Sequence, residues 1–552
     1  MGAGWAMARN DVMEREILIV ENSEVYRNIL KQMLREIGKF QVYSAATGRE
    51  AFMLCKKEQY DAILCDFDLG KGKNGLQLLE ELRAAQLIKA STVFMMITAT
   101  VDKNIVLSCL EHRPDVFIAK PFNHNTLNKR LGKAFDLQDK LSGIIDAIDE
   151  KRYEEALEYC DEALNEQTEF ENWCLKTKCE ILFELKNFKK VIEVCEAVIT
   201  LKPHEWAQLM LGKALCATDQ HDQALGVFKA LYCENSDNVL AYEEAAHIHL
   251  DRGESEVAQH LLQQASDLTG HSIPRLRELA DLCEKNNDIR AATQAYREVV
   301  KRAGFSIHDR AENNLDLARS LTETAVKCDY VESKVLTAEA LTALNRANKT
   351  FNTRKVKVHS TFIASQAFSS IDEPEKANEF LETALAGYEE LREDEQSIDL
   401  KVEMVRSCAA TGDITKAAAL INELNDHEEF NEVLASRIDR ISEEPVSESG
   451  KNEIKAINRK GIKYYENKKF EKAISYFNKA LKRYPKHIGI RLNLAQAILG
   501  QLSEKGPEAN LVQQCIEDLS HLDHLLPQHA QYQRLKVLTN KVNEFKNRCM
   551  AS

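Results

Sequence analysis

Ile17-Leu18-Ile19-Val20-Glu21-Asn22 and Asp61-Ala62-Ile63-Leu64-Cys65-Asp66 decide the fold of this chain. Each holds a short continuous apolar run that stops at a carboxylate. Such a run, without polar alternation, suits a strand covered on both faces. After the first run, Ile29, Leu30, Met33, Leu34 and Ile37 recur at helical spacing, and Gly38 follows at a C-cap position. The alternation continues. Leu76 to Leu82 reads as a helix and Val93-Phe94-Met95-Met96-Ile97 as a strand. Ile105 to Leu110 reads as a helix and Val116-Phe117-Ile118 as the last strand. Strand and helix alternating in this way predict a parallel sheet with helices on both faces.

The polar residues gather at one end of these strands. Glu21 and Asn22 follow the first, Asp66 the third, Thr98 ends the fourth, and Lys120 follows the fifth just before Pro121. The carboxyl ends of parallel strands meet at one edge, where ligands bind. Two carboxylates, an amide, a hydroxyl and an amine are therefore expected to converge. That set suits metal-assisted phosphoryl transfer to a carboxylate. The acid is the nucleophile, hard oxygens hold Mg²⁺, and the hydroxyl and ammonium meet the phosphoryl oxygens.

Together with Ile97-Thr98-Ala99-Thr100 and Phe117-Ile118-Ala119-Lys120-Pro121-Phe122, these motifs resemble a response-regulator receiver domain over residues 16–135. The resemblance implies a doubly wound five-stranded parallel sheet of order 2-1-3-4-5. It implies Asp66 as phospho-acceptor, Thr98 as switch hydroxyl, Lys120 as phosphate-binding amine and Phe117 as aromatic switch. Glu21, Asn22 and Asp66 would hold Mg²⁺, with Asp68 and Thr100 modulating the site. The family usually carries two acidic residues after the first strand, and here the second is Asn22. Its amide oxygen can still coordinate Mg²⁺, with less charge. Asp68 brings another carboxylate near, which either repels the phosphoryl group or partly restores the metal's charge.

After Asp136 the strand signals stop and the helical period takes over. Gly461, Tyr464, Phe470, Ala473, Phe477, Ala480, Leu481 and Pro485 follow the pattern of the tetratricopeptide repeat. Small residues let paired helices approach, aromatics fill the gap between pairs, and proline ends the second helix. The close-packing position recurs at Ala156, Val191, Ala224, Ala258 and Ala292, in steps of 35, 33, 34 and 34 residues. Ala377 and Ala417 mark further copies. The expected organisation is an N-terminal extension (1–15), the receiver (16–135), tetratricopeptide repeats (136–303) and degenerate helical repeats (304–438). A linker (439–452), one more repeat (453–500) and C-terminal capping helices (501–552) complete it. The segment 439–452 reads equally as a long loop within one solenoid. Leu127 to Leu141 is expected to run as one rigid helix from receiver to repeats.

Composition agrees with a largely helical chain. Of 552 residues only 21 are Gly and 9 are Pro, and seven of those glycines and two prolines fall in the first 130 residues. A net charge of −14 argues against nucleic-acid binding. No apolar run is long enough for a membrane span or a signal peptide, so a cytoplasmic site is expected. Fourteen scattered Cys without a CxxC pair suit reduced thiols. His247 and His249, two apart on a helix, face different sides and make poor joint metal ligands. Trp206 falls where repeat proteins line their concave surface, as a peptide anchor or as simple packing.

The expected protein is a signalling adaptor rather than an enzyme. A histidine kinase or phosphotransfer protein would phosphorylate the receiver, and the repeats would bind a protein partner under that control, with no DNA-binding output. The alternative is a constitutive repeat scaffold carrying a receiver that is never phosphorylated.

Overall fold

In the computed structural model, residues 14–99, 102–506 and 508–551 are described, apart from the side chains of Leu110 and 549–551. The chain forms two compact units, 1–313 and 314–552.

The first unit opens with the sheet. Strands β1 (Arg15–Val20), β2 (Phe40–Ala45), β3 (Ala62–Asp66), β4 (Val93–Thr98) and β5 (Val116–Ala119) pair in parallel in the order β2-β1-β3-β4-β5. Ile17, Leu18, Ile19 and Val20 are all fully buried. Ile17 and Ile19 point into one apolar layer and Leu18 and Val20 into the opposite one, as the period of two requires. Burying each such side chain is worth about 1.5–3 kcal/mol, which explains the uninterrupted apolar run. The first layer is completed by α1 (Glu24–Ile37) and α5 (His124–Lys140), the second by α2 (Gly48–Cys55), α3 (Gly75–Ala84) and α4 (Lys103–Glu111). Gly75 starts α3 against the end of β3. A Cβ there would lie 2.4 Å from the Asp66 carbonyl oxygen, so only glycine lets helix and strand approach this closely.

Five helix pairs follow in the same unit. They are α6 (Ser142–Asp149) with α7 (Tyr153–Asn165), α8 (Glu171–Glu184) with α9 (Phe188–Leu201), and α10 (Glu205–Cys216) with α11 (His221–Glu234). Then come α12 (Val239–Asp251) with α13 (Ser255–Leu268), and α14 (Ile273–Lys285) with α15 (Ile289–Ala303). The close-packing residues Ala156, Val191, Ala224, Ala258 and Ala292 are all 0% exposed. Five residues before each stands a residue with positive φ: Lys151, Lys186, Asp219, Gly253 and Asn287. This left-handed residue ends the first helix of the pair. The turn therefore repeats with the alanine, although only one copy spends a glycine on it.

The expected rigid helix between receiver and repeats is corrected by the backbone. Helix α5 ends at Lys140, and Leu141 leaves helical geometry with φ −111° and ψ 21° before α6 begins at Ser142. Leu141 is fully buried and anchors the corner, so the connection is a packed bend.

The second unit takes up α16 (Ala311–Ala325) and continues with α17 (Tyr330–Phe351), α18 (Arg354–Ser369), α19 (Pro374–Glu389), α20 (Ile398–Ala410), α21 (Ile414–Asn425) and α22 (Glu432–Ile438). Its core includes a buried ionic cluster. Glu403 is 1% exposed and lies 2.7 Å from the Arg319 guanidinium. Burial would raise its carboxyl pKa, but Arg319 and Arg406 hold it well below the usual range. Asp372, Gly412 and Lys468 carry the same positive φ, again five residues before Ala377, Ala417 and Ala473.

Within 439–452, helix α23 (Glu448–Glu466) already begins at Glu448. The residues before it are pinned, with Asp439 accepting from the Val446 and Ser447 amides at 2.7 and 2.9 Å. Helices α24 (Phe470–Arg483), α25 (Ile488–Lys505), α26 (Ala509–Ser520) and α27 (Tyr532–Ala551) close the chain. Phe477 packs on Gly461 as Phe228 packs on Gly212. A Cβ at either glycine would lie 2.4 Å from the ring. Ten of the thirteen described cysteines are buried and all are free thiols. No helix among the described residues is long and apolar enough to cross a membrane.

Candidate functional site

The carboxyl edge of the sheet brings four of the sequence-predicted residues together. Glu21 follows β1, Asp66 ends β3, Thr98 ends β4, and Lys120 follows β5. Glu21, Asp66 and Thr98 are 2%, 7% and 1% exposed. The Lys120 ammonium donates to Glu21 Oε2 at 2.7 Å and lies 3.0 Å from Asp66 Oδ2. The Lys120 amide donates to the Thr98 carbonyl at 2.7 Å, which ties β5 to β4 beside the site. The Lys120–Pro121 peptide is cis.

The electrostatics follow from burial. Two buried carboxylates share one ammonium. Burial, aided by the Glu21 charge and opposed by Lys120, pushes the Asp66 carboxyl up to about 6. Burial alone would lower the Lys120 pKa, but Glu21 and Asp66 together raise it. The pocket is thus short of positive charge, and its donors are hard oxygens. Both features fit a Mg²⁺-sized cation, with Glu21, Asn22 and Asp66 as the residues to hold it.

The remaining predicted residues are placed as follows. Asn22 lies beside the loop after β3, where a Cβ on Gly70 would come 3.1 Å from its Nδ2. Asp68 is exposed and accepts from the Gly70 amide at 2.9 Å, so one of its oxygens is occupied in shaping that loop. Phe117 belongs with Ile105 of α4 to the apolar layer on one face of the sheet. Thr100 lies outside the described residues. Trp206 is half-buried and donates from Nε1 to Asn172 Oδ1 at 3.0 Å. It lines a groove of about 990 Å³ along the repeats, so it packs and faces the groove at once.

Sequence reasoning missed two sets of residues. The Tyr26 ring lies 4.6 Å from the Lys120 ammonium, and the Arg27 guanidinium donates to the Glu21 and Asn22 carbonyls at 2.5 and 3.0 Å. Helical spacing of α1 toward β1 was the only available signal for these. Arg275 and His271 of the repeats touch the receiver's α4, and nothing in their local sequence marks them. Glu243, His247 and Glu278 form a group of metal-ligand type. There Glu243 already pairs with Arg275 at 3.1 Å and His247 with Glu278 at 3.2 Å.

This arrangement defines a class: a doubly wound α/β module with a buried carboxylate and a lysine at its sheet edge. Residues 17–132 match the response regulator receiver domain, and residues 454–487 match the tetratricopeptide repeat. The chain is 31% identical over 121 residues to chemotaxis protein CheY-3 of Vibrio cholerae, covering 22% of this chain and 92% of that protein. It is 26% identical to chemotaxis protein CheY of Pseudomonas aeruginosa, over 22% of this chain and 96% of that one. A CheY-like receiver domain protein from Methanospirillum hungatei superposes with a TM-score of 0.21 and 26% identity, covering 23% of this chain and 98% of that chain. The chain belongs to the response-regulator receiver family, and it joins that receiver to a helical region containing a tetratricopeptide repeat.

Proposed function

We propose that Asp66 accepts a phosphoryl group from a histidine kinase or phosphotransfer protein, and that this event controls protein binding by the repeats. The observation that carries the reading is the Lys120 ammonium lying against both Glu21 and Asp66. The carboxylate is the nucleophile. Lys120 and Thr98 meet the phosphoryl oxygens, and their fixed dipoles stabilise the charge that develops there. A bound Mg²⁺ would supply the missing positive charge, held by Glu21, Asn22 and Asp66. Phe117, sharing an apolar layer with Ile105, links the site to α4. The helix-pair array offers a concave surface of the kind that binds protein segments.

A second reading has one observation in its favour. Asn22 contributes no charge to the metal site, which suits a receiver that is never phosphorylated and a repeat scaffold that binds constitutively. Phos-tag electrophoresis after acetyl phosphate and Mg²⁺ separates the two. A shifted band in wild type that is absent in Asp66→Asn supports phosphorylation, whereas an unshifted wild type favours the scaffold.

A further inference from the structure

The concave face of the first repeat array is not open along its length, because α4 of the receiver lies against it. Leu107 and Glu111, one helical turn apart on α4, line the groove of about 990 Å³ together with Trp206, Met210 and Lys213 of α10. Glu111 reaches the Arg275 guanidinium of α14 and accepts from the Thr269 hydroxyl at 2.9 Å. Arg275 is 1% exposed, and its second carboxylate is Glu243 at 3.1 Å. Its Nε has no partner among the described residues. Burial pushes the guanidinium pKa down to about 10, as expected for a cation with little water around it.

One turn back, the Ser108 hydroxyl donates to the Asn104 carbonyl at 2.7 Å. With its only hydrogen used, it accepts from His271 Nδ1 at 3.1 Å. The His271 ring also meets Phe67 edge-on, with centroids 6.4 Å apart. Phe67 is the residue after Asp66. On α3, the Gln77 side chain donates to the Arg302 and Gly304 carbonyls at 3.0 and 3.2 Å. The repeats therefore grip the receiver at α4, at the start of α3 and at the loop next to the acceptor carboxylate.

We propose that α4 is the resident ligand of the first repeat array, and that the array's outside partner is an amphipathic helix that replaces it and carries one carboxylate between flanking basic residues, as α4 does with Lys103 on Asp237 and, just past its end, Arg113 on Glu180. That helix presents an aliphatic side chain and, four residues on, a carboxylate, in the positions of Leu107 and Glu111. Losing Glu111 leaves the buried Arg275 with Glu243 alone, and a buried charge is costly to leave under-paired, so the position beside Arg275 selects a helix carrying a carboxylate there. The receiver and the outside helix then compete for Arg275. By linkage, whatever loosens α4 raises the affinity for the partner, and the partner loosens α4 in turn. This rests on the reading of the array as a protein-binding surface and does not depend on phosphorylation.

The test uses the full chain without a phosphodonor and a fluorescein-labelled peptide of residues 102–113, followed by fluorescence anisotropy. Ser108→Ala with Glu111→Gln in the protein weakens two of the holds on α4, to His271 and Arg275, and changes no residue of the repeats. The peptide is expected to bind this variant at least tenfold more tightly than wild type. A peptide carrying Glu111→Gln is expected to bind the variant at least tenfold more weakly than the native peptide, and this comparison leaves the protein unchanged. Equal binding to variant and wild type, or indifference to the peptide's carboxylate, overturns the proposal. A Phos-tag shift in the same preparation would leave the phosphorylation reading standing after such a failure.

Discussion

Lys120 and Arg275 each lie against two carboxylates, and they behave differently. Lys120 lies against Glu21 and Asp66 inside the receiver. Arg275 lies against Glu111 and Glu243, where one carboxylate comes from the receiver and the other from the repeats. At Lys120 the carboxylates win and raise the ammonium pKa, while the shared charge leaves Asp66 raised to about 6. At Arg275 burial wins and lowers the guanidinium pKa to about 10. The first site is poor in positive charge and suited to a metal ion and phosphoryl chemistry. The second is a cation with little solvent, suited to hold whichever carboxylate is offered. On the two readings proposed above, the first pocket serves a reaction and the second an exchange of partners.

The comparison breaks first at Lys120. Lys120→Met strands two carboxylates that are at most 10% exposed at the side chain. It is expected to destabilise the receiver by about 3 kcal/mol or more, read as a lower receiver transition in a thermal melt. Arg275→Met also strands two carboxylates, but their side chains are 12% and 21% exposed. The expected cost is smaller, about 1–3 kcal/mol, and hydrogen exchange should localise it to α4 and α14. If Arg275→Met proves the costlier change, the assignment of reaction site and exchange site is reversed.

Asp66→Asn should act in the opposite direction. Its carboxyl is raised from 3.8 to about 6 on folding, so between these values the folded chain binds more protons than the unfolded one. Stability from this group is present below about pH 4 and lost as pH rises through about 6. In metal-free buffer at pH 7.5, Asp66→Asn is therefore expected to stabilise the receiver by about 3 kcal/mol. The gain should vanish at pH 4. A gain that persists at pH 4 would mean the cause is not titration.

The smallest expected effect lies in the repeats. Asp219 has φ +60°, where glycine carries no Cβ penalty. Asp219→Gly is expected to raise stability by about 1 kcal/mol or less, and Gly253→Val, at φ +76°, to lower it. Urea titration of both variants measures the pair.

The reaction site was legible in the sequence because strand ends carry it. Apolar runs of four or five residues stop at Glu21, Asp66, Thr98 and Lys120, and parallel strands must bring those ends together. The repeat turns were half legible. The alanine period was plain, but the left-handed residue five positions earlier is Lys, Asp or Asn in six of these eight copies and Gly in two, so its identity gives little warning. The corner at Leu141 was hidden because its one glycine, Gly143, falls inside the next helix and no proline marks the break. A buried leucine, rather than a helix breaker, turns the chain there. The exchange site was invisible. Glu111 and Arg275 stand 164 residues apart, and neither belongs to a motif whose spacing announces a partner.

Taken together, the two proposals require that phosphoryl transfer to Asp66 loosen α4 from the repeats. Hydrogen–deuterium exchange of the full chain, with and without acetyl phosphate and Mg²⁺, tests it most directly. Phosphorylation is expected to speed exchange together in 103–111 and 269–276 of wild type, and to leave Asp66→Asn unchanged. A wild type shown by Phos-tag to be phosphorylated, yet with both segments as protected as before, would contradict the account.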